Sequence, residues 1–465
     1  MIGIVFCCVA FLVCWVLAKR SLAWGLGWTI AVGYAYGITR ANYPVTASHF
    51  IFDAALGALY IRAIPRCWKR LKKGTGKELL PWVMGLVIWP CLMYLVPIQD
   101  YLVQLVGLRN AVWPIPMLLI GAALDKEDFR KLALCVAALS CAEAVLGQME
   151  ANIGIEAFYP RNEMTEILIY RVQDVAGGRL SRIPGSFIST AGYGVNSTFA
   201  VALLAGFVAT PLKSRWQNLL IKAGIAAASY CIFLSASRTA AVFFVLLIGA
   251  ILIFARTSVL KKLALIVSFG VVVWGVAGSE RLDRFETLLD SGTVVERVGG
   301  SVNDSFISAL TNYPLGNGLG GGGTSMPYFL AERLVDPVLM ENEYAHILLE
   351  QGIIGLLLWA GFLSWLLIRG MPSMDRNGHL ARLAIWIGVV FEVVDASVGL
   401  GAFSAVPGGY IFMGTSGWLI ARAFERPLTA KNPMGSVRVA SIRPAFAAET
   451  PRFHVNTAMT RRGVW

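Results

Sequence analysis

Apolar runs long enough to cross a bilayer recur from the first residue to about Phe424. IGIVFCCVAFLVCWVLA opens the chain, and IIGLLLWAGFLSWLL follows from Ile353. Each span needs about twenty apolar residues, and in lipid only a helix satisfies its own backbone without closing a barrel. The alternating pattern of membrane β-strands is absent. The expectation is an all-α, polytopic integral membrane protein. With 57% hydrophobic and 15% charged residues and a mean hydropathy of +0.65, the chain lacks the polar surface of a soluble protein of 465 residues.

About 12–13 transmembrane helices fit, at ~20 residues each. They centre near Ala10, Ala31, Ala55, Val87, Met117, Leu139, Leu203, Ala226, Leu246, Phe269, Leu357, Val389 and Met413. The third and fifth carry charge or proline. Lys19 and Arg20 follow the first apolar run and no basic residue precedes it, which reads as a retained span and not a cleaved signal. Two polar stretches, about 150–192 and 279–345, are much longer than the rest. Placing both outside puts 29 of the 40 basic residues inside, all lysines among them, and leaves arginines alone outside. That bias orients the N-terminus outside and the C-terminus in the cytoplasm. The domain boundaries are then a membrane domain, 1–424, and a basic tail, 425–465, expected to be cytoplasmic and disordered. The +12 net charge follows from this asymmetry and attraction to anionic lipid, so no nucleic-acid partner is expected. The eight cysteines fall in spans or in a basic inner loop, and no disulfides are expected.

The outer arginines attract attention first. Arg179 and Arg182 lie in GGRLSRIPGSF, and Arg238 in the short turn SASRTAA between two spans. Arg281, Arg284, Arg297 and Arg333 lie in the second long loop. A guanidinium offers a planar fork of donors that matches phosphate oxygens. An Arg between two spans is costly without a partner. Arg238 therefore either snorkels or pairs with an acid, or it grips a lipid-borne phosphate.

Asp53, Glu143, Glu392 and Asp395 sit inside apolar runs, each in the outer half of its span. Two readings stand: a hydrated cavity opening outward, or separate structural pairs with Arg109 or Arg238. YPLGNGLGGGGTS is no nucleotide P-loop, because no Gly-Lys-Ser/Thr follows. It is either a flexible connection or a nest of backbone N–H groups. ENEYAHILLEQG then places three carboxylates and an imidazole at the start of an apolar helix. Helix capping accounts for Glu341 and Glu343, but poorly for the deeper His346 and Glu350.

Taken in order, RIPGSFISTAGYG, LSASRTA, the Arg297 region leading to NYPLGNGLG, and ENEYAHILLEQGIIGLLLW resemble the O-antigen ligase/O-antigen polymerase family of bacterial envelope polysaccharide enzymes. The resemblance covers roughly residues 178–367. It implies a glycosyltransferase of the inner (cytoplasmic) membrane that uses an undecaprenyl-diphosphate-linked glycan as donor. An acceptor glycan or lipid hydroxyl would attack the anomeric carbon, with no metal and no cofactor. It implies that Arg182, Arg238 and Arg297 bind the diphosphate. Ligases of that family carry a His-Asn pair upstream of the glycine that here is Gly352, and counting back places Glu341 and Asn342 at the pair. His346 lies five residues further on, roughly 7.5 Å along an ideal helix and ~140° around it. Three readings of the catalytic group stay open: Glu341 as base, His346 as base, or no strong base. The displaced His tilts the reading towards a polysaccharide polymerase, with a lipopolysaccharide O-antigen ligase or a non-enzymatic lipid-linked glycan flippase as alternatives.

Overall fold

The structure, a computed structural model, describes residues 2–72, 75–170, 174–175, 180–209, 212, 214–254, 305–322, 328–336, 338, 340, 342–372 and 379–423. Of the chain's two units, Met1–Glu425 and Arg426–Trp465, the second lies outside them. So do the span expected near Phe269, most of the second long loop, Arg297 and Glu341.

The chain is an all-α membrane protein. Helices occupy each of the other twelve expected centres. Among the described residues, six helical stretches are long and apolar enough to cross a membrane: Ile2–Arg20, Thr46–Trp68, Tyr101–Ala123, Lys126–Ile153, Arg215–Ser235 and Glu343–Gly370. Leu79–Tyr94 is a shorter apolar helix. Among the described residues the only β-pairing joins Asp174–Val175 to Leu180–Ser181.

The first helix shows how such a sequence packs. α1 (Ile2–Arg20) buries Gly3, Ala10, Cys14 and Ala18 and exposes Ile4, Val5, Leu12 and Val16. Small residues let helix backbones approach closely, and large apolar ones suit lipid. That small face meets the next helix, Leu22–Tyr34, where a Cβ on Gly25 would lie 2.6 Å from the Ala18 Cβ, and α1 also packs on α4 (Ile51–Lys72). Two arginines of α4 find partners on α1: Arg62 stacks on Trp15, 3.6 Å from the ring centroid, and Arg66 Nη1 donates to the Ala18 carbonyl at 3.2 Å. The proline-bearing fifth span is two helices, α6 (Tyr101–Val112) and α7 (Met117–Ala123), joined at Trp113–Pro116. Close approach is extreme between α7 and α16 (Gly408–Ala423). A Cβ on Gly417 would lie 2.0 Å from the Leu118 carbonyl oxygen.

The register of three helices places the candidate site. In α10 (Thr190–Ala209) and α15 (His379–Asp395), Gly206 meets Ala381, while Ala202 meets Gly388. The two therefore run antiparallel, and extending the register sets Gly194 level with the end of α15. On its other side Gly194 touches Ser235 and Ser237, in the turn between α11 (Arg215–Ser235) and α12 (Arg238–Phe254).

The apolar helix after ENEYAHILLEQG is not continuous. α14 (Glu343–Gly370) breaks at Gly352, whose φ of 68° and ψ of −176° leave Glu343–Gln351 and Ile353–Gly370 as separate pieces. The glycine-rich stretch closes the gap. Asn317 N donates to the Leu349 carbonyl at 2.5 Å, and Ile353 N to that of Pro314 at 3.0 Å. Trp89 Nε1 donates to the Gln351 carbonyl at 3.0 Å. Backbone groups freed by a break inside the bundle must find new partners, and these three supply them. Gly316, Gly318 and Gly320 adopt φ of 91°, 81° and 82°, which favours glycine. The stretch to Gly322 is thus a packed wedge, neither a slack connection nor a free nest.

Candidate functional site

The RIPGSF motif is held from two sides. Arg182 is buried, and its Nε donates to the Ser235 carbonyl at 3.3 Å. Ile183 N donates to the Leu234 carbonyl at 3.4 Å. Arg238, three residues beyond Ser235, is the first residue of α12. The left-handed Ala236 (φ 48°) makes the reversal between the helices. Arg182 is thus tied to the turn from which Arg238 starts the next helix, although the two motifs lie more than fifty residues apart in sequence.

On the other side stand two carboxylates of α8 (Lys126–Ile153), seven residues apart and so on one face. Glu143 Oε2 accepts from Ser186 N at 3.1 Å, and Ser186 Oγ also donates to Glu143 Oε1. Glu150 Oε2 accepts from Gly185 N at 3.0 Å. Tyr159 donates its hydroxyl to the Gly185 carbonyl at 2.6 Å. The turn at Gly185 has φ 59°, so the two consecutive N–H groups point at the acids. Glu143 therefore pairs with backbone, not with Arg109 or Arg238. Sequence reasoning missed Glu150, whose signal was its spacing from Glu143.

The other intramembrane acids separate as well. Both oxygens of Asp53 are taken by Arg109, Nε to Oδ1 at 2.8 Å and Nη2 to Oδ2 at 2.5 Å. Glu392 is 1% exposed, and its Oε2 has no hydrogen-bond partner among the described residues.

His346 lies on the first piece of α14, which Asn342 caps by accepting from Ala345 N at 2.8 Å. Its Nε2 stands 3.1 Å from Glu350 Oε1 without the alignment of a hydrogen bond. Glu343, one turn earlier, is buried and within electrostatic reach of the imidazole. Gly322 packs on the ring so closely that a Cβ there would sit 2.4 Å from Cδ2. Glu343 N donates to the Ala396 carbonyl at 2.9 Å, and its carboxylate accepts from Gly401 N at 2.5 Å. Ala396 follows the end of α15, which is level with Gly194 and hence with the Ser235–Arg238 turn. The arginine turn and the His346 cluster therefore occupy the same end of the helix bundle.

No family model matches the chain, and no curated protein matches it either. The site must be read from its chemistry. Among the described residues no three His, Cys, Asp or Glu side chains are grouped as a metal ion would need. What the site offers is an arginine tied to the turn at which a second arginine starts its helix, a carboxylate-flanked imidazole at the same end, and a turn fixed by two acids. Arg297 and Glu341, the other expected members, lie outside the described residues.

Proposed function

We propose that the chain is a membrane glycosyltransferase acting on undecaprenyl-diphosphate-linked glycan at the outer side of a bacterial inner membrane, in the manner of the O-antigen ligase/polymerase family. The tie of Arg182 to the Ser235 carbonyl, three residues before Arg238, supports this reading. A departing diphosphate gathers negative charge, and fixed guanidinium forks stabilise it without reorganising. Arg182 and Arg238 bind the donor diphosphate, with Arg297 added from the second long loop. An acceptor hydroxyl forms the new bond to the anomeric carbon. The bond to the diphosphate oxygen breaks, and its electron pair leaves with the lipid diphosphate. The hydroxyl proton passes to Glu341 or His346, or to water. Elongation of glycan on a second lipid-linked glycan makes the enzyme a polymerase, and transfer to another lipid makes it a ligase.

The deciding experiment supplies purified protein in proteoliposomes with undecaprenyl-diphosphate glycan. Release of undecaprenyl diphosphate with a longer or transferred glycan is expected. A second reading, a lipid-linked glycan flippase, draws on the broken helix α14, because interrupted helices line substrate paths in transporters. It is distinguished by translocation of intact lipid-linked glycan with no bond broken. Orientation is tested separately: a cysteine at Ser301 is expected to be labelled from outside in intact cells, and labelling only after lysis overturns the outer-face assignment.

A further inference from the structure

Two outer arginines, Arg40 and Arg109, play no part in the reading above. They differ in how their charge is balanced. Arg109 is matched by Asp53 through two hydrogen bonds. Arg40, near the end of α3 (Tyr36–Asn42), is half-buried, and its Nε is shielded from solvent with no hydrogen-bond partner. Among the described residues its guanidinium meets no carboxylate; it lies over the Tyr36 ring, 5.0 Å from the centroid. The nearby titratable groups do not balance it. His49 is within electrostatic reach of both Arg40 and Arg109, and Asp53 is already engaged. A cation held in a poorly hydrated place without a counter-charge is costly.

The surroundings hold α3 firmly. Ile38 N donates to the Ser186 carbonyl at 3.0 Å, so α3 lies against the same turn that Glu143 and Glu150 hold. On the opposite side Asn162 Nδ2 donates to the Ala41 carbonyl at 3.0 Å, and Asn42 Nδ2 to that of Phe158 at 2.8 Å. The Tyr36 hydroxyl donates to the His49 carbonyl at 2.9 Å. Arg40 is thus presented on a rigid support beside the Arg182 loop, with donors to offer. Tyr43 and Val45, just beyond α3, are exposed apolar side chains, as suits a position at the lipid boundary.

We propose that Arg40 anchors a second anion site, which takes a phosphate group carried on a lipid. The site is separate from the Arg182–Arg238 turn. It goes beyond the transfer reading, since it requires binding and not turnover. Two sources supply the same chemistry: a second polyprenyl diphosphate, or the phosphodiester of an anionic phospholipid.

Native mass spectrometry of the full-length protein in lipid nanodiscs tests this, with undecaprenyl diphosphate and phosphatidylglycerol as probes. The wild type is expected to bind two phosphate-bearing lipids. Arg40→Gln is expected to lose one of them, its affinity falling roughly ten- to hundredfold with the charge-assisted contact. The Arg182→Gln/Arg238→Gln protein should still bind one lipid, and lose it when Arg40→Gln is added. That arm holds even if the chain transfers no glycan. Arg40-dependent binding of undecaprenyl diphosphate that excess phosphatidylglycerol does not displace identifies the polyprenyl source; displacement identifies the headgroup. Arg40→Lys keeps the charge without the fork, so a smaller loss is expected, and it serves if the Gln variant does not fold. Equal binding of both probes by the wild type and both Arg40 variants overturns the proposal.

Discussion

Arg182 donates through Nε to the Ser235 carbonyl at 3.3 Å, three residues before Arg238. The contact uses one edge of the Arg182 guanidinium and ties it to the turn that starts α12. Arg182 is thereby fixed beside the turn that carries Arg238, the arrangement that the proposed diphosphate site requires.

The first prediction follows. Arg238→Lys retains a charge but not the planar fork. A lost charge-assisted contact is worth on the order of 1.5–3 kcal/mol, or roughly ten- to hundredfold in turnover. Glycan assembly measured at equal protein level should fall by that amount. Undiminished assembly would remove the phosphate role of Arg238.

The second concerns the acids that hold the Arg182 loop. Glu143→Ala leaves the N–H of Ser186 without its acceptor, while the Ser186 hydroxyl keeps the Tyr34 carbonyl. Unsatisfied buried donors cost about 1–3 kcal/mol each. The thermal unfolding midpoint in detergent should drop, and donor binding should weaken with it. Glu143→Gln keeps an acceptor oxygen and should lose less on both counts. Equal losses in the two variants would mean that the hydrogen bonds to Ser186 are unimportant.

The third concerns Asp53 and Arg109. Their pair is largely buried, with side-chain exposures of 11% and 25%. Removing one partner of such a pair costs about 3–5 kcal/mol, because the other is left uncompensated. Asp53→Asn should therefore destabilise the protein markedly. Asp53→Leu combined with Arg109→Met should recover much of the loss. A double variant as unstable as the sum of the single ones would show that the two residues act independently.

The helical membrane architecture was legible because hydropathy reports it directly: lipid demands long apolar segments at every crossing. The pairing of polar groups was not. Nothing local in the sequence distinguishes Asp53, which meets Arg109, from Glu143, which meets two groups of Ser186; both are acids in apolar runs. The break at Gly352 was hidden too. A glycine between ILLEQ and IIGLLLW costs little hydropathy, and only the wedge from Pro314 to Gly322 shows that the helix breaks there. The arginine motifs were visible as short polar islands between spans, and their convergence depended on helix register, which sequence does not give.

The last prediction separates the candidate bases. Glu341→Gln and His346→Gln each remove a base while roughly keeping size. Loss of a general base costs about 10²–10⁴ in rate. His346 is buried, flanked by Glu350 and pressed on by Gly322, so an acceptor reaches it only if the glycine wedge yields. By the proposed family resemblance, Glu341 takes the place of the family's His. Glu341→Gln is therefore expected to be the more damaging. The pH profile is an independent reading. A base works deprotonated, so activity rises as pH passes its pKa. Gly322→Ala adds a control: its Cβ would crowd the ring of His346 at 2.4 Å, and overpacking costs about 1–3 kcal/mol of stability. If Glu341 is the base, that variant should lower the unfolding midpoint and leave the position of the pH rise unchanged. A rise that disappears in His346→Gln and persists in Glu341→Gln would assign the proton to the imidazole instead.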